Sequence, residues 1–172
     1  MTQTVHPLIA LAREAIKVYL ETGKVLKTPV VLTDAMKERH GVFVSLKIKG
    51  RLRGCIGTFE PEASNVAEEV ILNAINSSTE DPRFMPVTLS ELKDIDISVD
   101  ILSSPERINS TNELDPEKYG VIVKSGYRRG LLLPALEGVN TVEQQVDIAR
   151  DKAGIAERDQ VELYRFEVRR FN

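Results

Sequence analysis

The strongest constraint on the fold is a short pattern that occurs twice. Gly41-Val42-Phe43-Val44 opens a stretch in which Val42, Val44, Leu46 and Ile48 alternate with Phe43, Ser45, Lys47 and Lys49, the period of a strand with one buried face. Lys49-Gly50 has the composition of a hairpin turn, and 51–59 returns as the partner strand. Gly120-Val121-Ile122-Val123 opens a second, shorter copy, which turns at Ser125-Gly126-Tyr127 and returns over 128–133. Each return strand carries an Arg-Gly pair, Arg53-Gly54 and Arg129-Gly130. Each hairpin leads through a loop to a capped helix, started by Asn65 with Glu68 and by Thr141 with Gln144. The chain therefore reads as α+β, with two degenerate strand-helix repeats at about 41–77 and 119–154 in one domain of 172 residues, or in two lobes sharing a core. The two hairpins are expected in one antiparallel sheet, with Gly41 equivalent to Gly120 and Arg53 to Arg129.

Other elements follow from period and punctuation. Leu8, Leu11, Ala12, Ala15, Ile16 and Tyr19 form one face of a helix that starts near Pro7 and ends at Gly23. The helix after Asn65 buries Ala67, Val70, Ile71 and Ala74, and it stops before Asp81-Pro82 because a residue preceding proline avoids helical geometry. Thr88 and Glu91 predict a shorter capped helix. Ile95, Ile97, Val99 and Ile101 alternate with Asp94, Asp96, Ser98 and Asp100, a strand with one wet face. Gln160–Phe171 reads as one last strand.

Charge is distributed unevenly. Residues 41–59 carry Lys47, Lys49, Arg51 and Arg53 without an acid, and residues 118–136 carry Lys118, Lys124, Arg128 and Arg129 without one. Two segments of +4 in a chain of net −3 leave −11 on the remainder. If the two segments adjoin, they form a small anion-attracting groove between the repeats; as hairpin tips and edge strands, their cations would instead serve solubility. RNA binding ranks last, because interleaved aromatics for base stacking are missing. One cysteine permits no intrachain disulfide, Met1–Pro7 lacks a basic leader, and no apolar run is long enough to span a bilayer, so the protein is expected in the cytoplasm. With only His6 and His40 beside that cysteine, neither a zinc site nor an iron site is expected, and no cofactor is implied.

The single cysteine, Cys55, lies in Arg51-Leu52-Arg53-Gly54-Cys55-Ile56-Gly57-Thr58. A thiol beside cations is the setting in which a thiolate forms near neutral pH, whereas a buried cysteine is inert. Strict alternation puts Arg51, Arg53 and Cys55 on one face and Leu52, Gly54 and Ile56 on the other; a bulge at Gly54 would reset this. Arg53 suits a bidentate anion contact with Gly54 leaving room, or an internal ion pair with Asp81 or Glu106. Asp81-Pro82-Arg83 reads first as a turn. The candidate ligand-binding set is Arg53, Gly54, Gly57, Thr58, Asp81, Arg83, Arg128 and Arg129, and the candidate nucleophile is Cys55, for which only His40 offers a base.

Leu52–Thr58, together with Asp81-Pro82-Arg83-Phe84, Ile97-Ser98-Val99 leading to Ser104-Pro105-Glu106, and Gly130-Leu131-Leu132-Leu133-Pro134, resembles the AMMECR-one domain family over nearly the whole chain. The pattern is most similar to the stand-alone prokaryotic branch, the A proteins of the AmmeMemoRadiSam system. That resemblance implies an α+β fold with two structural repeats about a barrel-like antiparallel sheet with flanking helices. It also implies association with a Memo-type protein and a radical-SAM protein, and it supplies no reaction. Ala135 follows Pro134 where many relatives have glutamine, so no role for a glutamine carries over. Two functions stay open: an accessory protein binding a small anionic ligand or a partner protein near Arg53-Gly54-Cys55, which is favoured, and a Cys55-dependent enzyme acting on an anionic substrate.

Overall fold

The structure, a computed structural model, describes residues 5–172. The lack of a basic leader, read from the first residues, concerns Met1–Thr4 outside that range and only Val5–Pro7 within it. Helix α1 (Pro7–Thr22) forms where the apolar stripe meets its end signals. Pro7 occupies the first turn, the His6 ring accepts a bond from the Leu8 N–H, and Gly23 closes the helix in the left-handed region. Among the described residues, no helix is long and apolar enough to cross a membrane.

The chain divides into two units, Met1–Leu102 with Arg169–Asn172 and Ser103–Val168. In the first, α1, the short α2 (Asp34–Lys37) and α3 (Val66–Thr79) accompany β1 (Val42–Ile48), β2 (Arg51–Gly57), β3 (Asp96–Leu102) and β8 (Val168–Phe171), in the sheet order β2-β1-β3-β8. Its core joins Leu8, Ala12 and Ile16 of α1 and Val70, Ile71 and Ala74 of α3 to Val42, Val44, Leu46, Val99 and Ile101. Lys49 and Gly50 both have positive φ, 51° and 77°, so β1 and β2 are joined by a turn whose twist matches the strands. Asn65 caps α3 by accepting from the Glu68 N–H, and the stripe Ala67, Val70, Ile71, Ala74 is buried as its spacing predicts.

The second unit holds β4 (Glu106–Ile108), β5 (Gly120–Ser125), β6 (Arg128–Leu132), β7 (Glu162–Phe166) and α4 (Val142–Lys152), with sheet order β4-β7-β5-β6. Thr141 and Gln144 form the expected capping box. The hairpins therefore lie in two sheets rather than one. Each sheet nevertheless has its hairpin in the same place, with the return strand at an edge and the next long strand beside the first hairpin strand.

The repeat shows in contacts within each unit. A Cβ on Gly54 would strike the Ser77 carbonyl oxygen of α3, and one on Gly130 would strike the Ala149 carbonyl oxygen of α4. Four residues earlier on each helix, Asn73 donates to the Val42 carbonyl and Gln145 to the Tyr119 carbonyl. Gly54 pairs with Leu46 and Gly130 with Val123. Counting from these pairs, Arg53 matches Arg129 as expected, but Val42 matches Tyr119, so Gly120 corresponds to Phe43 and not to Gly41.

Three further expectations change. Gln160–Phe171 splits at Glu167 into β7 and β8, which belong to different sheets. Thr88 and Glu91 bond to each other in a turn that leads only to a single 3-10 turn at Leu92–Asp94. The wet face of β3 is interrupted by Asp100, whose side chain is 3% exposed and is held by Arg170 through two bonds of 2.8 and 2.9 Å.

Candidate functional site

The decisive local feature of β2 is an extra residue. Leu46 pairs with Gly54 but Lys47 pairs with Leu52, so Arg53 has no opposite number and forms a bulge. The faces reset there: Leu52 and Cys55 share the face of Lys47 and Ser45, and the bulged Arg53 falls outside the alternation. Freed from the ladder, Arg53 grips the loop before β3. Its Nε and Nη2 donate to the two carboxylate oxygens of Glu91 at 3.0 and 3.3 Å, Nη1 donates to the Met85 carbonyl at 2.9 Å, and Nη2 to the Pro86 carbonyl at 3.3 Å. Glu91 also accepts from the Thr88 N–H and hydroxyl. The Arg53 guanidinium, aided by Thr88, holds the Glu91 carboxyl down to about 2. The internal ion pair thus exists, with Glu91 in place of Asp81 or Glu106.

Asp81 and Arg83 close the outer edge of β2. The Cys55 N–H donates to Asp81 Oδ2 at 2.9 Å and its carbonyl accepts from Arg83 Nη2 at 3.3 Å, so two side chains stand where a neighbouring strand would pair. Arg83 holds Asp81 bidentately at 2.9 and 2.7 Å, and its N–H completes the local turn at 3.1 Å. Arg83 first, and then the Cys55 and Arg83 N–H groups, keep the buried Asp81 carboxyl well below its usual range. The DPRF segment therefore recognises the backbone of the cysteine segment.

The Cys55 thiol is in a poor setting for a nucleophile. Burial pushes its pKa up; Ser45, whose hydroxyl lies 3.2 Å from Sγ, and Arg83 pull it down, while Asp100 and Asp81 oppose them. The bonded neighbour is a hydroxyl rather than a base, and His40 is engaged with Glu38 at 3.3 Å. The glycines serve packing. Gly54 admits α3, and a Cβ on Gly57 would meet the Phe43 ring and the Val42 carbonyl. Thr58 donates to Glu69 at 2.8 Å.

Glu69, Asn73 and Ser77 are the residues that sequence reasoning missed, all at most 2% exposed. Glu69 accepts from Thr58, Asn73 and the N–H groups of Glu62 and Ala63, and so fixes the loop after β2. Ser77 Oγ accepts from the Ile56 N–H and donates to the Val44 carbonyl, both at 2.8 Å, which inserts a helix hydroxyl between two strands. A cavity of about 730 Å³ in this unit is lined by His6, Ile9, Arg13, Lys47, Asp96 and Ser98, without residues 54–58. Among the described residues, no three His, Cys, Asp or Glu side chains gather as metal ligands.

In the second unit, Arg128 donates to the Gly154 carbonyl at 2.6 Å and to Asp159 at 2.8 Å. Arg129 lies opposite Lys124 in the hairpin, and Tyr127 stands at its tip, 93% exposed.

The AMMECR1 family model matches residues 9–171. The chain belongs to the AMMECR1 family. A protein of Thermotoga maritima is 52% identical over 96% of this chain and 97% of its own length. A Clostridium acetobutylicum protein is 51% identical over 98% of this chain, yet the chain spans only 36% of that relative. The crystal structure of an uncharacterized Pyrococcus horikoshii protein superposes with a TM-score of 0.88 at 33% identity, covering 95% of this chain and 88% of that one.

In this AMMECR1 domain three of the cations singled out by sequence are engaged internally. Arg53, Arg83 and Arg128 each face a carboxylate, Glu91, Asp81 and Asp159 respectively. These pairings tie the segment at 81–91 to β2 and the segment at 154–159 to β6.

Proposed function

We propose that this protein is an accessory binding subunit that acts through a partner protein, and that the Arg53-Gly54-Cys55 segment is the scaffold of its binding region rather than a catalytic centre. The observation that carries this is the Arg53 clamp. A half-buried guanidinium makes four bonds that tie residues 85–91 to β2, and that loop carries Met85, which is 81% exposed. Holding an apolar side chain out to solvent on a fixed loop suits recognition of another protein, because the ordering cost is met before binding. The raised thiol pKa, and a bonded neighbour that is the Ser45 hydroxyl rather than a base, argue against nucleophilic catalysis. The Clostridium relative, in which the matched part is 36% of the chain, supports a domain that works beside other polypeptide. A Memo-type protein and a radical-SAM protein, the association that the family resemblance implies, are the partners to try first. The test is titration calorimetry of the intact chain against each, made from the same genome. Binding retained by Cys55→Ser supports an accessory role, whereas a turnover that Cys55→Ser abolishes would replace it with an enzymatic one.

A further inference from the structure

Resting on that accessory role, we infer that the surface around the Arg53–Glu91 pair docks a protein segment made of an apolar anchor bordered by carboxylates. Three exposed apolar side chains lie in the two segments that this pair joins. Leu52, 40% exposed, precedes Arg53; Met85, 81% exposed, lends its carbonyl to the Arg53 guanidinium; Leu89, 46% exposed, lies two residues before Glu91. Leu52 stands in register with Lys47 just before the bulge, and Met85 and Leu89 belong to the loop that the Arg53 side chain holds. A thioether among leucines adapts to varied apolar partners.

Charge specifies the border. Segments 47–53 and 81–94 carry six cations, Lys47, Lys49, Arg51, Arg53, Arg83 and Lys93, against the three acids Asp81, Glu91 and Asp94, in a chain of net −3. Asp81 and Glu91 are already engaged by Arg83 and Arg53. Lys47 lies opposite Asp96 across the sheet. The side chains of Lys49, Arg51 and Lys93 are exposed and have no hydrogen-bond or ion-pair partner among the described residues. The excess charge beside the apolar side chains is therefore positive, and complementarity calls for an acidic rim on the partner. A nucleic acid fits less well, since Leu52, Met85 and Leu89 offer no aromatic face for bases.

The test uses the full chain with the photoreactive residue p-benzoylphenylalanine in place of Leu89, and separately in place of Tyr127, irradiated in the cells that make it. The expected result is a protein adduct at Leu89 whose crosslinked peptide pairs apolar residues with Asp or Glu. That adduct should fall at least about tenfold when Lys49→Glu and Arg51→Glu are added, with thermal stability unchanged. An adduct to lipid or nucleic acid, a peptide without acids, or a yield indifferent to charge reversal overturns the inference. Protein adducts at Tyr127 alone would overturn this surface while leaving the accessory role standing; if neither position traps protein and calorimetry finds no partner, both fall.

Discussion

Replacing Gly54 with alanine asks whether this glycine makes room for a ligand or for a helix. A Cβ built there stands 2.0 Å from the Ser77 carbonyl oxygen and 3.5 Å from Leu46 Cδ1. Unstrained heavy-atom contacts lie near about 3.5 Å, so strand and helix must part by roughly 1.5 Å. The obstacle is backbone in a helix whose Ala74, Ser77 and Ser78 are buried, and it cannot swing aside as a side chain would. An added methyl in a packed core costs about 1–3 kcal/mol, and a rigid obstacle puts this one near about 3 kcal/mol. For a chain of this size that lowers Tm by about 6–12 °C. Gly50→Ala is the control: Gly50 has φ of +77° and nothing within 4 Å of the added Cβ, so only left-handed backbone strain applies. That strain is about 1 kcal/mol, or about 2–4 °C. Thermal unfolding followed by circular dichroism reads both. A Gly54→Ala protein that melts within about 2 °C of wild type would refute the packing account and return Gly54 to the ligand-binding candidates.

Ser77→Ala leaves the Ile56 N–H and the Val44 carbonyl facing a methyl group, and should cost about 1–3 kcal/mol in urea unfolding; an unchanged midpoint would mean that the strands pair directly without it. Because the folded Glu91 carboxyl sits at about 2, below its usual 4.5, its contribution to stability is complete above about pH 4.5 and is lost as pH falls toward 2. Glu91→Gln should therefore lower Tm at neutral pH and flatten the Tm profile across that window, and a variant profile parallel to wild type would contradict the Arg53 clamp.

Local structure was legible wherever one stretch of chain carried the whole signal. The α1 stripe, the Lys49-Gly50 turn and the caps at Asn65 and Thr141 needed only neighbours in sequence. The bulge at Arg53 was not legible, because period two continues to look regular when one residue slips out of the ladder. Its partner Glu91 lies 38 residues away, and no local pattern distinguishes it from Asp81 or Glu106. Gln160–Phe171 looked like one strand because alternation does not record a change of sheet. A signal for Glu69, Asn73 and Ser77 was present: three polar residues at intervals of four, flanking an apolar stripe on the same helix. Such a row has no reason to stay at that spacing beside a core unless it meets polar backbone. The glycines were noticed for the right reason, close approach, but what approaches Gly54 is α3.

The most direct test of the scaffold account is the rate at which iodoacetamide alkylates Cys55 at pH 7, compared in the folded protein and in urea. A thiol raised in pKa by burial and bonded to the Ser45 hydroxyl should react at least about tenfold more slowly when folded. Faster alkylation in the folded protein than in urea would show an activated thiolate, and would contradict the account at its centre.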